Sequence, residues 1–414
     1  MVWVAAGLGI FGLAGFVFLA LAGRDLSPAG SAPVAVAWTI LNAVGIGLFQ
    51  PLEQETSRRL SASRARDNGG PRLGTMIRYA TLSGATILVA GLVLLPWLGD
   101  LLFSGAREIV VVVVFGLLGQ GLAYLARGVL AGSDDFSRYG AQLAVDGGLR
   151  ILLATALFTT GQGTRLTYGL VLVVSPVVAT LVTIQLGRLR AVWTTPRGAG
   201  STGSMTPLVA SSTASQLLAN FGPIAMAMLA TAAQQDLSGR FVAAVTVARI
   251  PLFVFAAVQA VFLPALAGLV ARGDVAGFGR SVRQALVVTL TLGVLGVGGI
   301  AVLGRWIMDL VYGDEFAVPA SILVLVAVSA ALFMLAQVFA QALLAHDLER
   351  VTAIAWTLGI VASCATLLLP WELATRVSVA LCTGALVSLC ILGVALLRHL
   401  SRWRPTVTIT PEVR

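Results

Sequence analysis

The chain has no lysine, and its 27 basic residues are all arginine. It has only two histidines and three cysteines in 414 residues. Charged residues make up 11% of the sequence, against roughly 25% in a soluble globular protein. Each shortage excludes something. Without lysine there is no GxxxxGK[ST] phosphate loop, so no ATPase of that type is encoded. There is no HExxH and no GxSxG. His346 and His399 are too few for a metal or triad site, so the sequence carries no signature of an enzyme, a metal or a cofactor. Cys364, Cys382 and Cys390 all fall in apolar segments and give no disulfide framework. So little charge cannot keep a surface of this size in water.

Hydrophobic residues make up 58% of the chain, and the mean hydropathy is +0.94. The bilayer is therefore the solvent. A helix needs about 20 apolar residues to cross the hydrocarbon core. That rule places twelve spans near 2–22, 32–51, 76–98, 108–131, 141–160, 167–187, 207–231, 241–267, 284–303, 318–345, 351–369 and 376–397. The first span lacks a basic n-region and reads as a retained helix rather than a signal peptide. The longer connectors, 52–75 and 188–206, are polar and rich in Gly, Ser and Arg.

The net charge of +9 could suggest a nucleic-acid partner, but the arginines follow the loops. Seventeen fall on one side, including Arg58, Arg59, Arg280, Arg283, Arg398 and Arg402, and six on the other. Positive loops face the cytoplasm. The expectation is a multi-pass bacterial inner (plasma) membrane protein with both termini cytoplasmic and no nucleic-acid partner.

The two halves resemble each other. Leu98-Gly99-Asp100-Leu101-Leu102-Phe103 parallels Ile307-Met308-Asp309-Leu310-Val311-Tyr312, with the aspartates 209 positions apart. Pro51 parallels Pro264 at 213, and Leu130-Ala131-Gly132 parallels Leu344-Ala345-His346 at 214. Six spans per half start both halves on the same side, which makes a parallel repeat. The expected fold is an all-α polytopic membrane protein of about twelve transmembrane helices. These form two six-helix bundles around a central cavity: an N-terminal lobe 1–190, a cytoplasmic linker 191–206, a C-terminal lobe 207–398 and a tail 399–414.

An ionisable residue in mid-bilayer is expensive, about 2.5–3.5 kcal/mol on insertion scales, and faces a cavity or a partner. Arg249 lies in span eight, two residues before Pro251, which removes a backbone hydrogen bond and kinks the helix. With no acid nearby in sequence it suits an anion site; a partner on another helix, or snorkelling, is the alternative. Asp146 and Arg150 are four residues apart in span five, in the order that favours an intrahelical pair. Either they neutralise each other, or Asp146 positions Arg150 to donate to a phosphate. Arg24 ends span one as an interfacial anchor or as part of a cationic cavity rim. Ser212, Gln216 and Asn220 step by four on span seven, and Gln337 and Gln341 on span ten. Such stripes bridge helices or line a lumen that binds sugar hydroxyls. Pro176 and Pro223 predict kinks in spans six and seven.

Several segments resemble a known family. Ala22-Gly23-Arg24-Asp25-Leu26-Ser27-Pro28 is similar to the first outer turn of polysaccharide flippases. Ala126 to Gly132, with Phe136-Ser137-Arg138-Tyr139 and Asp146 to Arg150, resembles their fourth-to-fifth helix connection. Tyr312-Gly313-Asp314-Glu315-Phe316 resembles the turn into their tenth helix. Phe241 to Leu269, with Ala248-Arg249-Ile250-Pro251 and Phe262-Leu263-Pro264, resembles their eighth. Gln50-Pro51-Leu52-Glu53-Gln54-Glu55 looks like actinobacterial members in particular. The chain thus resembles the Wzx-type flippases of the multidrug/oligosaccharidyl-lipid/polysaccharide exporter superfamily. The resemblance implies movement of a polyprenyl-pyrophosphate-linked oligosaccharide from the cytoplasmic to the outer leaflet for cell-surface polysaccharide biosynthesis. It carries the family's cavity arginines to Arg249 and Arg24. Membrane lipids, and a polysaccharide polymerase or glycosyltransferases, would be partners. The coupling acids of the multidrug branch have no match in span one. A cation-coupled multidrug antiporter and a non-transporting scaffold for a polysaccharide synthase are the alternative readings.

Overall fold

A computed structural model describes residues 2–65, 74–184 and 205–403. Helices dominate these residues, with no strand among them. Eight helical stretches are long and apolar enough to cross a bilayer, and one of them, Trp3–Ser61, runs for 59 residues. A straight helix of that length would reach about 90 Å, three times the hydrocarbon core. It is not straight. Within α1 (Val2–Ile40), Ser27 has φ 64 and ψ 170, directly before Pro28. The rings of Phe18 and Trp38 then lie 6.0 Å apart. In a straight helix they would stand about 30 Å apart. The chain therefore doubles back at Ser27, and spans one and two form a hairpin with almost no loop. The Ser31 hydroxyl donates to the Ser27 carbonyl at 2.7 Å and steadies the new helix start.

Span two continues through a π-helical turn, Leu41–Ile46, into α2 (Gly47–Ala65). It ends far beyond the expected residue 51 because its polar end extends past the apolar stretch. The N-terminal half is completed by α3 (Gly74–Val93), α4 (Leu95–Phe103), α5 (Arg107–Gly132), α6 (Phe136–Thr160) and α7 (Arg165–Thr183). α7 runs unbroken through Pro176, against the kink expected there.

In the C-terminal half, spans seven and eight are each split. α8 (Met205–Ala219) breaks at Asn220 before α9 (Phe221–Leu229), and α10 (Gln235–Ala248) breaks at Arg249 before α11 (Ile250–Ala271). Then follow α12 (Val275–Val311), α13 (Ala320–Leu344), α14 (Glu349–Thr366) and α15 (Leu373–Arg402). Most of the linker 191–206 and the tail beyond Trp403 lie outside the described residues.

The two halves pack by the same rule. Span one packs on span five (α1 on α6), and span seven on span eleven (α8 on α14). Spans four and six pair as α5 and α7, spans ten and twelve as α13 and α15. These matched pairings are the internal repeat made visible. Close approach is bought by glycine: a Cβ at Gly7 would meet the backbone of Gly140, and one at Gly147 the backbone of Phe11 at 2.8 Å.

The lobes meet through spans one, two, seven and eight. Gly239 lies against the Pro28 backbone, and Gly47 lies 2.8 Å from Thr213 Cα, counted to an ideal Cβ. Val302, Leu368 and Leu397 stand on the outside with 81%, 86% and 70% of their surface exposed. Apolar surface of this extent fits acyl chains, not water. This is a multi-pass membrane protein.

Candidate functional site

The site starts from a missing hydrogen. Pro223 has no N–H, so the carbonyl four residues back, that of Ala219, has lost its helical donor. The backbone departs from helical geometry at Asn220 (φ −103, ψ 12). Pro251 acts likewise in span eight, where Arg249 (φ −96, ψ 5) sits at the break. Gly296 of α12 leaves room for the Pro251 ring, which a Cβ would meet at 2.6 Å. The two breaks face each other. A guanidinium nitrogen of Arg249, Nη2, donates to the orphaned Ala219 carbonyl.

Arg249 also lines a small cavity, with room for about one water molecule, beside Leu218, Leu252, Ser329, Phe333 and Leu381. Apart from the guanidinium, the Ser329 hydroxyl and the Ala219 carbonyl, the named lining is apolar. No acid forms an ion pair with Arg249 among the described residues. A half-buried cation with one backbone partner has donors to spare, and a guanidinium's planar fork matches phosphate.

The other residues singled out from sequence do not all join this site. Asn220 is buried at the break, where its Nδ2 donates to the Gln216 carbonyl at 2.9 Å, inside its own helix. Gln216, Gln337 and Gln341 do not line the Arg249 cavity. Gln341 Oε1 is buried without a hydrogen-bond partner.

Asp146 and Arg150 lie in the other lobe. Arg150 Nη2 donates to Asp146 Oδ1 at 2.8 Å, and both side chains are almost completely buried. The guanidinium stacks over Phe11 at 5.2 Å and Trp38 at 4.9 Å. The pair is thus neutralised and boxed in by aromatic rings.

Arg24 does not line the Arg249 cavity. It is exposed, and its Nε donates to the Val311 carbonyl at 2.8 Å, with Nη2 reaching Leu310. These carbonyls close the C-terminal end of α12, where the helix dipole favours a cation. Arg24 is therefore a clasp from the N-terminal lobe to the C-terminal lobe rather than a cavity group. Behind it, Leu19, Ala22, Thr246, Tyr312 and Phe316 surround a second small space, of about one water molecule's size.

Sequence reasoning missed one cluster. Arg127 Nε lies 3.1 Å from Glu53 Oε2, and Tyr139 donates its hydroxyl to Glu53 Oε1 at 2.8 Å. The Arg127 guanidinium also covers the Tyr124 ring at 4.0 Å. This ties spans two, four and five together.

No family model matches the sequence. Uncharacterized proteins of Mycobacterium tuberculosis and Mycobacterium bovis are 28% identical over 406 residues, covering 95% of this chain and 91% of the relative. A second Mycobacterium tuberculosis protein, also uncharacterized, is 27% identical over 396 residues, 93% of this chain and 88% of its own. Among solved structures, an inward-facing multidrug resistance MATE family transporter of the MOP superfamily superposes with a TM-score of 0.72 at 15% identity. The match covers 97% of this chain and 96% of that one. The outward-facing form gives 0.68, over 97% and 94%. The fold is that of the MATE transporters. The Arg249 cavity is lined by helices of the C-terminal half of that fold.

Proposed function

We propose that this chain is a transporter that flips a polyprenyl-pyrophosphate-linked oligosaccharide from the cytoplasmic to the outer leaflet. The observation that carries the reading is Arg249: an intramembrane arginine on a cavity wall with no acid beside it. A pyrophosphate brings the charge that such a group lacks. The polyprenyl tail stays in the bilayer while the head group passes between the lobes, where its charge and hydroxyls avoid bare hydrocarbon. With the arginine-rich loops inside, both termini face the cytoplasm and the Ser27 hairpin faces outward. An inside-negative potential then favours export of an anion by about 2.3 kcal/mol per charge per 100 mV. A polysaccharide polymerase and glycosyltransferases would act on either side of this step.

The same fold serves multidrug antiporters, which is the second reading. A cation-coupled antiporter needs a buried carboxylate free to exchange ions. Here Asp146 is held by Arg150 and Glu53 by Arg127. Those pairings favour the flippase.

The test is movement of a labelled polyprenyl-pyrophosphate sugar across proteoliposomes. Arg249→Gln is expected to slow it at least tenfold while the protein stays folded. Movement at the unmodified rate in that variant would discard Arg249 as the anion site. Movement of cationic drugs against a proton or sodium gradient, with no sugar-lipid transfer, would replace the flippase with the antiporter.

A further inference from the structure

We propose that Arg249 is a two-position switch: empty, it completes the broken seventh span by bonding the Ala219 carbonyl; occupied, it leaves that carbonyl for an anion and lets the span change its bend. The inference rests on the anion-site reading above and adds how occupancy reaches the lobes.

Three features of the structure meet here. First, one guanidinium nitrogen already serves two demands. The Ala219 carbonyl needs a donor because Pro223 cannot supply one, and a buried carbonyl without a donor is costly. A phosphate on the same cavity competes for that nitrogen with a charge-assisted, bidentate bond, which is the stronger of the two. Second, the backbone next to Ala219 holds a donor in reserve. The Ile224 N–H reaches the Asn220 carbonyl only at 3.5 Å. Once Arg249 leaves, that N–H can turn to Ala219, one residue further back. The break then becomes a π-type turn, and α9 rotates relative to α8. Third, α9 is docked on the opposite lobe. Its Ala227 packs on the cluster that contains Phe18, Val34 and Phe103 of the N-terminal half, and α9 touches both α1 and α4. It is also fitted to its own lobe, since Gly222 lies against Leu381 of α15. A change of bend at Asn220 therefore moves the contact between lobes.

A ligand shifts such an equilibrium only through differential interaction with the two states. Arg249 supplies it, because its bond to Ala219 exists in one state and its bond to the anion in the other.

The experiment uses the full chain in lipid nanodiscs with inorganic pyrophosphate as the probe. With the three native cysteines replaced, spin labels at Thr231, just after α9, and Leu368, after α14, report the bend within the C-terminal lobe. Pyrophosphate is expected to shift their distance distribution and to speed amide exchange at residues 221–226. In Pro223→Ala a backbone N–H returns to Ala219 and frees Arg249. That variant is expected to bind pyrophosphate roughly tenfold tighter, the release of one hydrogen bond's worth of competition, with no shift in the distance. Pyrophosphate that binds through Arg249 but leaves both the distance and the exchange unchanged overturns the switch and keeps the anion site. Binding that is absent, or equal in Arg249→Gln, overturns both. Should Pro223→Ala fail to fold, the exchange measurement on the unmodified chain decides alone.

Discussion

The two lobes share a packing plan and differ in what fills it. In the N-terminal lobe, buried charge is matched: Arg150 with Asp146, and Arg127 with Glu53 and Tyr139. In the C-terminal lobe the repeat positions have lost that charge. Arg127 corresponds, 214 positions on, to Gln341, and Glu53 corresponds, 213 on, to Leu266. In their place come small residues and hydroxyls. Gly359 and Gly384 bring α14 against α15, the Ser363 hydroxyl donates to the Ala380 carbonyl at 2.9 Å, and Ser388 donates to Ala355 at 3.2 Å. The half-buried Arg249 there has no acid in ion-pair range among the described residues, and two of the spans are broken. Broken spans are not peculiar to the second lobe, since span three is split at Leu94, just before Pro96; what sets the second lobe apart is the unmatched charge.

The largest effect expected from this contrast lies in the first lobe. Asp146→Ala leaves Arg150 buried and unpaired, which destabilises a protein by about 3–5 kcal/mol. The double change Asp146→Leu with Arg150→Met removes both charges and should recover most of that loss, because matched removal of a buried pair is often neutral. Unfolding in detergent measures both. If the single variant unfolds at the same midpoint as the unmodified chain, the pair is not holding the lobe. If the double variant is as damaged as the single one, the aromatic box around Arg150 matters more than its charge.

A smaller effect separates two glycines. At Gly359 a Cβ would meet the Gly384 carbonyl at 2.7 Å, whereas at Gly148 of α6 it would meet nothing within 4 Å. Overpacking of the first kind costs about 1–3 kcal/mol. Gly148→Ala should instead stabilise its helix by up to about 1 kcal/mol, since glycine is the poorer helix former. Equal shifts in the two variants would show that the α14–α15 contact has slack, contrary to the packing described.

Much of this plan is legible in the sequence, because spans, sidedness and repeat all ride on apolar runs and their spacing. The Asp146–Arg150 pair is legible too, since one helical turn makes partners of residues four apart. Glu53 and Arg127 are not: 74 positions separate them, and only the fold brings span two beside span four. The Ser27 hairpin escapes for a different reason. Its turn is a single serine in a positive-φ conformation, a place where glycine would be the expected signal. Prolines are legible as hazards rather than outcomes. Pro223 and Pro251 break their helices, while Pro176 passes through one intact. The Arg24 clasp was legible only as a cation at a span end, because its partners are carbonyls nearly three hundred residues away.

The smallest predicted effect concerns the end of the second lobe. The chain's two histidines touch there, His346 and His399 with ring centroids 4.5 Å apart, and Phe278 and Trp403 close over His346. Neither Nε2 has a partner. The corresponding N-terminal position is Gly132, with nothing to titrate. Burial, and secondarily the neighbouring His399, lower the His346 pKa below its ordinary 6.5, with exposed Asp347 pulling weakly the other way. A histidine whose pKa falls on folding binds fewer protons in the native state than in the unfolded one, so stability rises with pH across that interval. The contribution is complete above about 6.5 and is lost as the pH falls from there towards the depressed native value. Melting temperatures between about pH 7.5 and 5.5 should therefore decline on the acid side, and His346→Gln should flatten that decline without moving the neutral value by more than a few degrees. An unchanged slope in His346→Gln would show that this histidine does not set the acid sensitivity.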